Sequence, residues 1–81
     1  MKADNVSIVI PAFNEAGAIG PVVESLRVRL PEAELIVVND GSSDDTASIA
    51  EAAGATVVSH PKNRGYGAAL RTGTLQASRA Y

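Results

Sequence analysis

Two apolar runs, each of which stops at a polar, turn-forming segment, constrain the fold of this chain most strongly. Residues 6–10 read Val-Ser-Ile-Val-Ile before Pro11, and residues 35–38 read Leu-Ile-Val-Val before an Asn-Asp-Gly turn. Short β-branched runs bounded by turn residues are typical of buried strands. Because the carboxyl ends of neighbouring parallel strands open into one crevice, a ligand is expected where these runs end. Glu15 and Asp40 would then face the same pocket.

A helical pattern separates the two runs. Apolar residues recur at three- and four-residue spacing from Ile19 to Leu30, which predicts a helix with one buried face. Proline is tolerated only in the first turn of a regular helix, so Pro21 predicts a start near Ile19. Residues 15–17 are therefore expected to form a loop.

The rest of the chain predicts a continued alternation of helix and strand. Ser42 or Ser43 is expected to cap a second helix that Gly54 closes. A short strand at residues 56–58 and a third helix at residues 66–80 follow. The order βαβαβα predicts an α/β fold, a three-layer Rossmann-like half-domain with right-handed crossovers and a parallel sheet in the spatial order 3-2-1. We treat the whole chain as one subdomain.

Composition excludes several classes of function. The formal net charge of −2 argues against a nucleic-acid partner, which needs clustered Lys and Arg side chains. The absence of cysteine excludes disulfides and thiolate zinc sites. No signal-peptide pattern is present and no apolar stretch approaches the roughly 20 residues of a membrane span, so a cytoplasmic location is expected for this segment.

The residues after the strands are the candidates for binding. Neither a Gly-x-Gly-x-x-Gly fingerprint nor a P-loop is present. The Asp40 carboxylate can accept two hydrogen bonds, which suits an imide-like base edge or ribose hydroxyls; the alternative is an Asx turn into Gly41. Lys62 and Arg64, ahead of Gly65, suit a diphosphate by their charge and backbone N–H groups, or else form a solvated loop.

Three other polar features favour structural interpretations. Glu15 is expected to be exposed near a helix start. The Ser-Ser-Asp-Asp sequence of residues 42–45 favours helix capping over metal binding, so we assign no metal ligand to this chain. His60 precedes Pro61 and has no Ser or Cys in a motif with which to pair, which favours a surface position.

Three segments together resemble a known enzyme family. Residues 6–15 and 37–46 resemble the opening strands and loops of a family 2 glycosyltransferase with the A-type fold, and residues 63–73 resemble its branch of dolichyl- and polyprenyl-phosphate sugar transferases. The resemblance covers nearly the whole chain. Phe13 stands where the family often has Tyr, and Asn39 stands where it often has a first Asp.

The resemblance implies a function for the segment. It implies binding of a UDP- or GDP-sugar, and a full-length enzyme that transfers a hexose to an acceptor such as a polyprenyl phosphate. The base and ribose would be surrounded by Pro11, Phe13, Glu15, Val38 and Asp40, and the diphosphate would lie near Lys62, Arg64 and Gly65. The family's Asp-x-Asp motif for Mg or Mn and its catalytic base are expected beyond Tyr81, so this segment is expected to be incomplete for catalysis.

Two further expectations concern partners. In the complete family fold the first strand lies inside the sheet, so residues 6–10 are expected to expose an edge that pairs two copies into a homodimer. The alternative to a nucleotide-sugar site is a non-enzymatic α/β structural or interaction module that retains the same motifs.

Overall fold

The computed structural model describes residues 6–77, which form three strands and three helices in alternation. The elements are β1 (Ser7–Ala12), α1 (Ala16–Arg29), β2 (Glu34–Asp40), α2 (Thr46–Ala53), β3 (Thr56–His60) and α3 (Tyr66–Gln76). The strands are parallel and lie in the order β1-β2-β3. The predicted α/β class and strand order are thus confirmed.

Helices cover both faces of the sheet because its central strand is apolar on both sides. Ile36 and Val38 pack on α3, whereas Leu35 and Val37 face a cluster with α1 and α2. Ile36, Val37 and Val38 are completely buried. Burial of one such side chain contributes about 1.5–3 kcal/mol, so β2 is the main stabilising element that joins the three layers.

The start of α1 differs from the prediction. The helix begins at Ala16 and contains Pro21, whereas a start near Ile19 was expected. Its first turn is capped from another loop, since the N–H of Ala16 donates to Asp44 Oδ2 at 3.2 Å. The proline leaves the Gly17 carbonyl without its helical donor, but both residues are exposed and water can bond to this oxygen.

The strands and helices also end at different residues than expected. β2 continues to Asp40 and β3 to His60, beyond the apolar runs that predicted them. Gly54 closes α2 with a φ of 110°, as predicted. α3 ends at Gln76, and residues 78–80 of the predicted third helix lie outside the described residues. No helix among the described residues is long and apolar enough to cross a membrane.

Candidate functional site

A cleft of about 170 Å³ lies at the carboxyl ends of β1 and β2, where the apolar runs predicted a ligand. It is lined by Pro11, Ala12, Phe13, Asp40, Asn63, Gly65, Tyr66 and Ala69. The cleft is on the α3 side of the sheet, since Ala69 belongs to the cluster that α3 forms with β2. Residues from two strand ends and one helix N-terminus therefore converge on a single concave surface.

Asp40 is the most strongly bonded side chain of the cleft. The residue is only 4% exposed. Its Oδ1 accepts a hydrogen bond from the Arg64 N–H at 2.9 Å and lies 2.7 Å from His60 Nδ1. Its Oδ2 accepts from the Gly65 N–H at 2.9 Å. A carboxylate offers about four lone-pair positions, so Oδ1 is saturated and one acceptor position remains on Oδ2, fewer than the two that the sequence suggested for a ligand.

His60 is a buried member of this network, and its predicted surface position is wrong. The residue is 7% exposed, and its Nε2 lies 2.7 Å from Thr72 Oγ1. The physical reason is the strand register: His60 is the β3 partner of Asp40, so the two side chains leave the sheet side by side. One imidazole thus connects the ends of β2 and β3 to α3.

Two carboxylates acquire low pKa values from their hydrogen bonds. The hydrogen bond with His60, followed by that from the Arg64 N–H, lowers the pKa of Asp40, although burial opposes this effect. The hydroxyl of Thr46 is the main cause of a lowered pKa at Asp44. Both groups are therefore harder to protonate in the folded chain than in the unfolded chain.

This difference predicts loss of stability in acid. A carboxylate with a depressed folded-state pKa stabilises the fold above its unfolded pKa, about 4, and this stabilisation is lost as the pH falls through the folded value. We expect the midpoint temperature of thermal unfolding, measured by circular dichroism, to decrease as the pH is lowered from about 5 to about 2. Asp44→Asn should reduce this fall, whereas Asp45→Asn should not, because Asp45 makes no capping bond at α2. A wild-type midpoint that is unchanged at pH 2 would contradict the prediction.

The segment from Lys62 to Gly67 uses part of its backbone internally. The N–H groups of Arg64 and Gly65 both donate to Asp40, so neither is available to a phosphate. Gly65 has a φ of 96°, which suits glycine. The helical hydrogen bonds of α3 begin with the N–H of Ala69, which donates to the Gly65 carbonyl. The first-turn N–H groups of α3 therefore remain available at the rim of the cleft.

A second set of hydrogen bonds joins the loop after β1 to the loop after β2. The Asn14 N–H donates to Ser42 Oγ at 2.9 Å, and Asn14 Oδ1 accepts from the Ser43 N–H at 2.8 Å. The Glu15 N–H donates to Thr46 Oγ1 at 2.9 Å. Asn14 has a φ of 52°, a conformation that Asn tolerates better than most residues.

These contacts correct the predicted caps. Neither Ser42 nor Ser43 caps α2; the Thr46 N–H instead donates to Asp44 Oδ1 at 3.0 Å. Asp44 thereby serves both helices, because its other oxygen accepts from the Ala16 N–H at the start of α1. The polar residues 42–46 thus tie the two loops together, and this fixes the positions of Phe13 and Asp40 on the same cleft.

The structure brings four of the eight predicted site residues onto the cleft and leaves four off it. Pro11, Phe13, Asp40 and Gly65 line it. Val38 is fully buried beneath Ala69, and the other three, Glu15, Lys62 and Arg64, are exposed outside the lining. The lining residues outside the predicted set are Ala12, Asn63, Tyr66 and Ala69. His60, which was also missed, bonds to Asp40 without lining the cleft. Had β3 been extended by two residues, alternation would have placed His60 on the same face as Val58 and beside Asp40.

No metal centre is evident in the part of the chain that the structure describes. Within residues 6–77, no three His, Cys, Asp or Glu side chains are arranged to hold an ion. The carboxylates nearest the cleft already accept hydrogen bonds from backbone N–H groups. The resemblance places the ligands of the Mg or Mn beyond Tyr81, outside the described residues, so we derive no step through a metal here.

Comparison with known proteins agrees with the geometry. The profile of Glycosyl transferase family 2 matches residues 7–81. The chain belongs to this family. A 4,4'-diaponeurosporenoate glycosyltransferase of Staphylococcus aureus is 44% identical over 54 residues, which cover 67% of this chain and 14% of that protein. Two other curated relatives share 42–43% identity with this chain, but this chain spans less than half of the length of either relative.

Solved structures show the same family fold. The glucosyl-3-phosphoglycerate synthase of M. tuberculosis superposes with a TM-score of 0.76 and 38% identity, over 91% of this chain and 31% of that one. A mannosyltransferase of Pyrobaculum calidifontis, solved in complex with GDP-Man and Mn2+, gives a TM-score of 0.77 at 24% identity, over 91% and 24% of the two chains. This family 2 chain therefore corresponds to about a quarter to a third of these solved glycosyltransferases.

Proposed function

We propose that this chain forms the nucleotide-binding part of a glycosyltransferase that takes a UDP- or GDP-sugar as donor. The observation that carries the proposal is the cleft itself, which lies at the carboxyl ends of two parallel strands and is bordered by an aromatic ring, a carboxylate and a helix N-terminus. Ligands of open α/β sheets bind at this edge. The membership of family 2 supports the same assignment.

The base and ribose would contact residues from the ends of β1 and β2. Phe13 is 48% exposed and lines the cleft, so its ring is available to stack on a base. The remaining acceptor on Asp40 Oδ2 suits one N–H or O–H of the nucleoside. Pro11 supplies apolar contact on the same wall.

The diphosphate would lie at the start of α3. Unpaired first-turn N–H groups and the positive end of the helix dipole favour an anion there, and Tyr66 of this turn lines the cleft. The exposed side chains of Lys62 and Arg64 add positive charge to the segment that precedes the helix. Their role here is charge, since the Arg64 N–H is bonded to Asp40.

The complete reaction is a further part of this proposal. We propose a hexose transfer to a lipid phosphate such as a polyprenyl phosphate, on the basis of residues 63–73, with Mg or Mn held by residues outside those described. The names of two neighbours indicate acceptors that differ from each other, namely diaponeurosporenoate and 3-phosphoglycerate.

A structural or interaction module is the second candidate. It is favoured by the internal bonding of Asp40, three of whose acceptor positions are filled by His60 and the N–H groups of Arg64 and Gly65. An aspartate bonded in this way can stabilise a loop without any ligand. Titration with nucleotides separates the two candidates, because only the first requires saturable binding.

Phe13→Ala tests the nucleotide site without disturbing the Asp40 network. Stacking of a base on an aromatic side chain contributes about 1–3 kcal/mol, so the affinity for UDP or GDP should fall roughly fivefold or more. Calorimetric titration of the purified chain measures it. Leu75→Ala is the matched control, since Leu75 is 80% exposed on α3 and does not line the cleft. Saturable binding that is equal in the wild type and Phe13→Ala would refute the site, and absence of binding would favour the module.

We also propose that the free edge of β1 joins two copies of the chain. In the described residues β1 has a strand neighbour on one side only, namely β2. An apolar edge strand is a template for pairing. The homodimer would place the two first strands side by side about a twofold axis.

A further inference from the structure

His60 is a polar side chain in the core of the site that the proposed function does not yet use. It connects Asp40 at the end of β2 with Thr72 on α3 through its two ring nitrogens, each at 2.7 Å from its partner. Within the described residues no buried side-chain nitrogen or oxygen lacks a hydrogen-bond partner. The imidazole is therefore held at both ends.

The partners of the ring determine where its proton lies. Ionised Asp40 can only accept hydrogen bonds, so His60 Nδ1 must carry a proton and donate it to Oδ1. The Thr72 hydroxyl can either donate to or accept from Nε2, which satisfies the neutral Nδ1–H tautomer as well as the imidazolium. The neutral Nε2–H tautomer is excluded, because its bare Nδ1 would face the carboxylate oxygen.

This arrangement determines which oxygen of Asp40 a ligand can use. Oδ1 accepts from His60 and from the Arg64 N–H, which fills both of its lone pairs. Oδ2 accepts only from the Gly65 N–H and keeps one position. Without the donor at residue 60, Oδ1 would keep only the Arg64 N–H, and both oxygens would be free to offer one acceptor position each. The imidazole removes this freedom before a ligand arrives.

We infer that His60, held by Thr72, is a positioning residue that presents Asp40 Oδ2 as the single acceptor for the nucleoside. This inference rests on the proposed function for its ligand, but its structural part stands in the free protein. An acceptor that is already held in place loses less conformational entropy when a ligand binds. Loss of the imidazole should therefore weaken binding even when the fold persists. The residue acts through Asp40 and does not line the cleft.

Substitutions at residue 60 separate positioning from simple packing. His60→Leu keeps an apolar side chain of similar bulk but removes both ring nitrogens, and should weaken UDP or GDP binding about tenfold. In His60→Asn the side-chain amide nitrogen is attached to Cγ, as Nδ1 is in histidine, and can donate to Asp40 in its place. This variant should restore the affinity to within about threefold of the wild type. Thr72→Val removes the second contact and should weaken binding severalfold. Its control is Thr74→Val, since the Thr74 hydroxyl bonds only within its own helix and is exposed.

Nuclear magnetic resonance of the nucleotide-free chain tests the structural part independently. The ring ¹⁵N shifts should report a proton on Nδ1, and the N–H groups of Arg64 and Gly65 should exchange at least tenfold faster in His60→Leu. A neutral Nε2–H tautomer, or unchanged exchange in folded His60→Leu, would overturn the inference. If the wild type binds neither nucleotide, the proposed function fails while these measurements still decide the geometry. Equal nucleotide affinity in the wild type and folded His60→Leu would also overturn it.

Discussion

Gly41→Ala is expected to destabilise this chain by about 2–5 kcal/mol. Gly41 has a φ of 75°, a left-handed conformation that costs an alanine about 1–2 kcal/mol. A Cβ at this position would lie closer than 3.0 Å to backbone atoms of Lys62 and Asn63. Backbone cannot turn away as a side chain can, so overpacking adds about 1–3 kcal/mol. A fold of this size has a stability of only about 4–12 kcal/mol, so the loss would be a large share.

Urea unfolding followed by circular dichroism measures this effect. Gly17→Ala is the matched control, because a Cβ at Gly17 would have no described atom within 4 Å apart from its chain neighbours and its own helix backbone, and the residue is in the first turns of α1. Alanine is the better helix former, so this variant should gain up to about 1 kcal/mol. Equal unfolding midpoints for Gly41→Ala and the wild type would show that the segment after β3 does not press on Gly41.

The same substitution should also affect the cleft. The backbone that approaches Gly41 leads directly to Arg64 and Gly65, whose N–H groups hold Asp40. Displacement of this segment would release the carboxylate and move Asn63, which lines the cleft. Loss of stability and loss of nucleotide binding are therefore expected together at this position, whereas Phe13→Ala should affect binding alone.

Much of the fold could be predicted because its signals are local. Residues 35–38 are apolar on both faces, and this run alone indicates a central strand covered on two sides. Gly54 likewise marks the end of α2, where the backbone adopts a left-handed conformation that favours glycine. The start of α1 could not be predicted in this way, because Pro21 disfavours a helix that begins at Ala16. The hydrogen bonds from Thr46 and Asp44 that stabilise this start come from a distant loop.

The candidate site shows the same limit. The position of Asp40 after an apolar run predicts either a binding residue or an Asx turn, and the structure places its side chain on the cleft. Its bonds to His60 and to the N–H groups of Arg64 and Gly65 come from residues 20 to 25 positions later in the chain. No local pattern carries that information. It depends on the register of β3 against β2, and for this reason His60 was wrongly expected at the surface.

The free edge of β1 is expected to determine the oligomeric state of the chain. The Glu34 N–H donates to the Val6 carbonyl, and the register then directs the backbone groups of alternate β1 residues to β2. The N–H groups of Ser7 and Val9 therefore point away from β2, towards the open edge of the sheet. Pro11, the next residue of this set, has no N–H, so the pairing edge ends there.

Ser7→Pro should convert the proposed homodimer into a monomer. Proline removes an outward N–H and its ring obstructs a neighbouring strand, while the bonds of β1 to β2 are kept because this N–H does not belong to that ladder. Ser7→Ala is the matched control, since it loses the same hydroxyl bond to Glu34 without obstructing the edge. A lysine at Ile8 is less suitable, because Ile8 packs against the core shared with α1 and α2.

Sedimentation velocity at high micromolar concentration distinguishes the outcomes. The wild type and Ser7→Ala should sediment as dimers, and Ser7→Pro as a folded monomer. Because the outward donors are backbone groups, the association should persist in high salt, unlike one that depends on surface charges. A monomeric wild type, or a Ser7→Pro variant that is still dimeric, would show that two copies do not meet at this edge.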